Sequence, residues 1–592
     1  MTRTRILEVA AVPTLALALV LSACTSGGDD ATATLRSEER SSGATDSTAA
    51  PTPGDVEWGS CTEQLAAMAS LRCGRLEVPL DHADPDGPTI ELELARSASK
   101  GSPEERIGSL ILNPGGPGAS GVEFLAGVTQ MMPTSITDRF DLVSFDPRGV
   151  GASTPVSCID DEDKAESLSG DLTPDDPDEV AEAVEEQEEL LEGCRQRSAD
   201  LLEHMSTADV AADLDLIRAA VGDEQLTYLG YSYGTAIGAA YATMFPTSAR
   251  ALVLDGSVSP GASDEEITLA QAQGFDATYA RFVEQCDASP DCPLGSDAAA
   301  TVAQVRARLA TRPIGSDGPT GTRELGPDQF DLALATALYD TSLWGTTARA
   351  IADIDDSGAE VLWTLIDRQT GRQSDGTFDN STEARTIVNC SDTAERPSVD
   401  EATAAAGRIR AAAPTFGEAL GWATLSCIGW PQPAAPIPEL TGAGAPPILV
   451  VGTLGDPATP YVWSQQMSET LESAVLLTYE GAGHTAFLRG GPCIEHAVVD
   501  YLVDLRVPEP GTSCPAQDQA ISFGGLQDQV RKQFTEMGIP QELADCIVDG
   551  IIDDIGEAEF DRLVLGNDAG GLSKLVTAQS IACATGKKSG GG

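Results

Sequence analysis

Residues 226–245 read LTYLGYSYGTAIGAAYATMF. A short apolar run, LTYLGYS (226–232), leads into TAIGAAYATMF (235–245), whose small and apolar residues suit a helix. Gly230, Tyr231, Ser232, Tyr233 and Gly234 join the two as G-x-S-x-G. Between a strand and a helix, that spacing predicts a sharp turn in which the glycines permit a crowded backbone and the Ser232 hydroxyl is exposed. With 59 glycines in 592 residues the bare pattern arises easily by chance, so its flanking elements carry the weight; no second match occurs. The plain alternative is a helix N-cap serine after a tight turn.

Outward from this turn, SLILN (109–113), FDLVSFD (140–146), ALVLDG (251–256), PILVVGT (447–453) and AVLLTYEG (474–481) are further short, continuous apolar runs separated by helical stretches. Such runs predict a mostly parallel sheet covered on both faces, hence an α/β fold. GRLEVPLDHADPDGPTIELELARS (74–97) reads as two strands around a Pro, Gly and Asp turn. Asp81, Asp84 and Asp86 there look loosely like a calcium loop, but Pro85 and Pro88 interrupt it and the terminal Glu is missing. Residues 259–445 are Ala-rich and helical in texture between two sheet strands, which predicts a cap over the strand ends dividing a core of 55–258 and 446–515. The acidic stretch 160–193 reads as a solvated helix face. Residues 521–592 read as a small helical appendage.

Acidic residues outnumber basic ones 92 to 36, a formal charge of −56 that repels polyphosphates and argues against nucleic acid as a partner. The same charge also serves plain solubility. Arg3 and Arg5 precede an apolar stretch too short to span a bilayer, and Leu21, Ser22, Ala23 and Cys24 follow it. This reads as a lipoprotein-type signal over 1–23 with lipidation at Cys24, the alternative being an ordinary export signal with an incidental cysteine. Residues 24–54 hold almost nothing to bury and suit a disordered tether. The membrane is thus expected as a partner only through this anchor, on the outer face of the cell membrane. Setting Cys24 aside leaves twelve of thirteen cysteines, an even number suited to disulfides in an exported protein. Neighbour spacing suggests Cys61 with Cys73, Cys158 with Cys194, Cys286 with Cys292, Cys390 with Cys427, Cys493 with Cys514, and Cys546 with Cys583. The competing reading, a metal site, is disfavoured by the lack of any CxxC pair and by only four histidines.

A serine hydroxyl needs an imidazole to remove its proton, and in this fold the histidine follows the serine in chain order. His484, in GAGHT just past a strand, and His496, inside a helical stretch, are the candidates; His484 is favoured. The orienting carboxylate is expected between serine and histidine. Asp456, after PILVVGT, is favoured over its rival Asp255, at the end of ALVLDG, because its strand directly precedes that of the histidine. Acyl transfer also needs oxyanion donors, and the turn after SLILN offers backbone amides: Gly116 N–H and Tyr233 N–H are the expected pair. A phosphate-cradling loop is disfavoured, since Pro114 and Pro117 lack donors and no Lys follows.

NPGGPGASG (113–121), SFDPRGVGAS (144–153), GYSYG (230–234), GDPATP (455–460) and GAGHT (481–485), in this order, resemble the exported tripeptidyl-aminopeptidase-like branch of the prolyl-aminopeptidase family of α/β-hydrolases, over roughly residues 61–514. IVNCSD (387–392) and CIGWP (427–431) also look like that branch. The resemblance implies an α/β-hydrolase fold, a cap that limits access and reads a terminal amine, and release of short peptides, often tripeptides, from peptides with free N-termini. No cofactor is needed. Pro114 stands where cytoplasmic relatives carry His, and the amine-binding acids of the cap are not placed by motif. Some relatives are carboxylesterases, so an esterase with the same triad is a second reading. A lipoprotein that uses the fold for envelope binding without turnover is a third.

Overall fold

Alternate residues of the central strands belong to opposite apolar cores. Strand β6 (Leu226–Tyr231) sends Tyr228 to one and Leu229 to the other, and β10 (Ile448–Gly455) sends Ile448 and Val450 to the first and Leu449 and Val451 to the second. A strand buried on both faces has no need of polar alternation, which is why these runs are continuously apolar. The computed structural model describes residues 56–585 except 63–64, 67–68, 319–320, 433–436, 518–522, 524, 537 and 566–568. The expected signal, Cys24 and the tether lie outside the described residues.

Among the described residues the sheet has ten strands. The others are β1 (Gly59–Ser60), β2 (Arg72–Pro79), β3 (Thr89–Ser97), β4 (Gly108–Asn113), β5 (Phe140–Phe145), β7 (Ala249–Asp255), β11 (Ala474–Ala482) and β12 (Ser513–Cys514). Their order is β1-β2-β3-β5-β4-β6-β7-β10-β11-β12; the first three pairings are antiparallel and all later ones parallel. Helices Thr207–Ala220 and Gly234–Met244 cover one face, while Gly121–Val128 and Gly491–Asp504 cover the other. His496 sits exposed on the last of these. The six cystines are the pairs suggested by neighbour spacing.

Between β7 and β10 the chain forms a layer of helices with one hairpin, β8 (Ile314–Gly318) and β9 (Gly321–Leu325). The hairpin departs from the purely helical texture expected there; its sequence is polar and Gly-rich, without apolar alternation. The layer has a core of its own around Phe282, Trp344 and Trp363, and the C-terminal helices contribute Phe534, Ile547, Ile551 and Phe560 to that same cluster. Arg349 fastens the two by ion pairs with Asp561 (2.9 Å) and Glu557. Among the described residues no helix is long and apolar enough to cross a membrane.

The DPRG segment after β5 is a hub. Arg148 is fully buried and donates to Asp213 through Nε (2.8 Å) and Nη2 (2.7 Å), and to the carbonyls of Pro79, Leu80 and His204. His82 Nε2 lies 2.9 Å from the same carboxylate. Arg148→Met would strand a buried carboxylate, so a loss of about 3–5 kcal/mol is expected in denaturant unfolding. A change below about 1 kcal/mol, the size of an exposed ion pair, would contradict this account.

Candidate active site

The loops at the carboxyl ends of β4, β6, β10 and β11 bring the expected residues to one end of the sheet, where α/β folds bind ligands. Ser232 is half-buried with φ of 52°, a left-handed turn between β6 and helix Gly234–Met244. A side chain at Gly230 would meet the Gly234 carbonyl oxygen at 2.3 Å, so the turn closes only with glycine there. At Gly115 a Cβ would stand 2.5 Å from the Tyr231 oxygen, 2.9 Å from Ser232 Cβ and 3.0 Å from Tyr233 N. The loop after β4 therefore lies directly against the serine turn. Asn113 Oδ1 takes the Gly115 N–H at 2.9 Å. Among the described residues neither the Gly116 nor the Tyr233 amide is given to a protein acceptor, which leaves both free for an oxyanion.

His484 Nδ1 lies 2.9 Å and 3.0 Å from the two oxygens of Asp456. Asp456 is buried and also accepts from the amides of Ala458 (3.0 Å), Thr459 (2.8 Å) and Thr485 (3.2 Å) and from Thr459 Oγ1 (2.9 Å). Thr459 Oγ1 stands 3.2 Å from His484 Nδ1, a contact that no sequence pattern singled out although GDPATP contains it. The cap holds the histidine loop from outside: the Tyr339 carbonyl accepts the His484 N–H at 2.8 Å and its ring meets the imidazole edge-on at 5.4 Å. Ser232 N–H donates to the Asp255 carbonyl at 2.9 Å, and the next residue, Gly256, has its Cβ position 3.4 Å from His484 Cε1, so serine and histidine flank one dipeptide. The imidazole–carboxylate pair is formed with the Ser232 turn beside it, and no Ser232–His484 hydrogen bond is made among the described residues; this order of groups is the one that moves a proton from nucleophile to base and stabilises the resulting imidazolium.

Asp255 does a different job from Asp456. Its carboxylate accepts from Ala486 N (3.0 and 3.1 Å) and Phe487 N (2.7 Å), pinning the backbone just beyond His484.

A family model described as TAP-like protein matches residues 413–514. Serine protease Hip1 of Mycobacterium tuberculosis is 37% identical over 476 residues, 78% of this chain and 91% of that protein. The chain belongs to the TAP-like α/β-hydrolases. Tripeptidyl aminopeptidase of Streptomyces lividans is 31% identical over 78% of this chain and 86% of its own length. Carboxylesterase B of Mycobacterium tuberculosis is 35% identical over 77% and 89%. This TAP-like protein is accordingly a serine hydrolase.

In this TAP-like chain the serine turn is also tied to the cap. The Tyr233 hydroxyl meets Thr207 Oγ1 at 2.6 Å, and Thr207 donates to Asp392, in the segment IVNCSD, at 2.6 Å from Oγ1 and 2.7 Å from N. Burial pushes Asp255, Asp392 and Asp561 up to about 7, and Asp264 and Asp331 up to about 6. An acid whose folded pKa exceeds its unfolded value near 4 holds its proton more tightly when folded. Its stabilising contribution is full below about pH 4 and is lost as pH rises through about 7. Asp213, where Arg148 outweighs burial, shifts the other way and acts below that window. Thermal unfolding should therefore show Tm falling from about pH 5 to pH 7.5, with part of the fall absent in Asp255→Asn. A Tm that rises over this interval would contradict the assignment of these groups.

Proposed function

We propose that this serine hydrolase is an exported exopeptidase that releases short peptides, tripeptides foremost, from peptides with free N-termini. Ser232 attacks the peptide carbonyl while His484 takes its proton, and Asp456 orients and stabilises the imidazolium. The Gly116 and Tyr233 amides hold the tetrahedral oxyanion. His484 then gives its proton to the leaving amine, and water releases the acyl group by the same route in reverse. The observation that carries this reading is the Asp456–His484 pair held at the strand ends beside the Ser232 turn. The tripeptide preference is supported by the relative named tripeptidyl aminopeptidase. Lipidation at Cys24 and a place on the outer face of the cell membrane belong to the same proposal, supported by the lipobox-like sequence and by the cystines.

A carboxylesterase with the same triad is the second reading, favoured by the relative named carboxylesterase B. Hydrolysis of a free-amine tripeptidyl anilide, its N-acetylated twin and a short-chain nitrophenyl ester separates the two. Cleavage of the free-amine peptide with the acetylated twin refused is the expected result. Ester turnover without peptide cleavage would overturn the peptidase reading and leave an esterase.

A further inference from the structure

Beside His484 lies a cavity of about 300 Å³ between the sheet end and the cap. Tyr231, which precedes the nucleophile, and Pro114, which opens the oxyanion loop, form part of its wall. Phe124, Val128, Met131, Leu343 and Leu488 make much of the remainder apolar. Its charged groups are Arg368 and Arg489 against a single carboxylate, Asp340.

Asp340 is already engaged: it lies 3.4 Å from Arg489 Nη1 and accepts the Ser342 N–H at 2.9 Å. Among the described residues no carboxylate stands within 4.0 Å of Arg368, and no hydrogen bond ties its guanidinium. Solvent reaches Arg368, yet the surrounding protein desolvates it enough to press its pKa down. An arginine does not escape by giving up its proton. In a chain with 92 acidic residues and 36 basic ones, a carboxylate for each surface arginine is easily supplied; here, in the cavity wall, one carboxylate, Asp340, is shared electrostatically between Arg368 and Arg489. Arg385 also interacts electrostatically with Tyr339, the residue packed on His484, but it faces a carboxylate of its own in Asp379. A guanidinium presents a planar fork of donors that matches a carboxylate in two parallel hydrogen bonds.

We propose that this cavity is a carboxylate-recognising subsite, anchored by Arg368 with Arg489 as second cation, which selects substrates carrying a carboxylate close to the scissile bond. The carboxylate is either an acidic side chain or the C-terminus of a short peptide. The selection of peptides rests on the peptidase reading; the binding of a carboxylate does not.

The test compares kcat/KM for free-amine peptides that carry Glu or Gln at each position flanking the cleaved bond, and for short peptides ending in a free carboxylate or a carboxamide. The enzymes are wild type, Arg368→Gln and Arg368→Lys. The wild type is expected to prefer the charged member of one pair type by about tenfold or more, the scale of a charge-assisted hydrogen bond. The pair showing the preference identifies the source of the carboxylate. Arg368→Gln should bring that ratio near unity and Arg368→Lys should keep part of it, which a purely structural arginine would not do. A wild-type ratio near unity in every pair, or equal losses on charged and neutral peptides in Arg368→Gln, would overturn the proposal. If only esters are turned over, the peptidase reading fails and inhibition of ester hydrolysis judges the subsite. Glutarate should then inhibit the wild type more strongly than glutaramide and lose that advantage in Arg368→Gln, while equal inhibition by both would overturn the subsite.

Discussion

Ser232→Ala is expected to lower kcat by on the order of 10⁶-fold, because the remaining members of a triad contribute little once the nucleophile is gone. Residual catalysis over water should persist from the oxyanion donors and substrate binding alone. The fold should survive, since the Ser232 N–H to Asp255 bond and the glycines of the turn are unaffected by loss of the hydroxyl. Far-UV circular dichroism and Tm match those of the wild type in this account. Retention of more than about 1% of wild-type kcat would mean that another group attacks.

Asp456→Asn is the second large effect, about 10⁴-fold in kcat. The carboxylate takes four hydrogen bonds from Ala458, Thr459 and Thr485 besides its contact with His484 Nδ1. An amide in its place can accept on one side only, and turning its NH₂ toward the imidazole would favour the tautomer that cannot receive the serine proton. It also withdraws the charge that stabilises the imidazolium. Asp255→Asn makes the informative contrast, because an amide oxygen can still accept from Ala486 and Phe487. Its loss should stay within about tenfold, below the roughly 10²-fold that general-base catalysis contributes at the least. If Asp255→Asn proves the more damaging of the two, the roles of the aspartates are exchanged.

That contrast also shows where sequence reading reaches its end. Each aspartate closes an apolar strand, and each is followed by residues that form tight turns. Strand order favoured Asp456 as the partner of the histidine; that Asp255 instead holds the Ala486 and Phe487 amides is a matter of loop geometry that spacing does not show. The sheet was legible because strands buried on both faces are continuously apolar, as in 447–453 and 226–232. Strands β1 and β12, two residues each, offer no periodicity to read, and the hairpin β8–β9 is apolar only at its ends, Ile314 and Leu325. His484 stood out by elimination among four histidines. Arg148 and Arg368 could not be told apart in advance: the first is buried and fully bonded, the second lines a cavity with no close ion pair or hydrogen bond among the described residues, and both are brought to their places by residues far away in the chain.

The cap and the C-terminal helices form one apolar cluster, and the cap reaches the active centre through the Tyr339 carbonyl and ring.

Labelling the purified chain with a fluorophosphonate and locating the adduct by peptide mass mapping shows whether Ser232 is the activated nucleophile. A single adduct on Ser232, lost in His484→Ala, is expected; an adduct on another serine, or hydrolysis that continues with Ser232 labelled, would mean that a different group attacks.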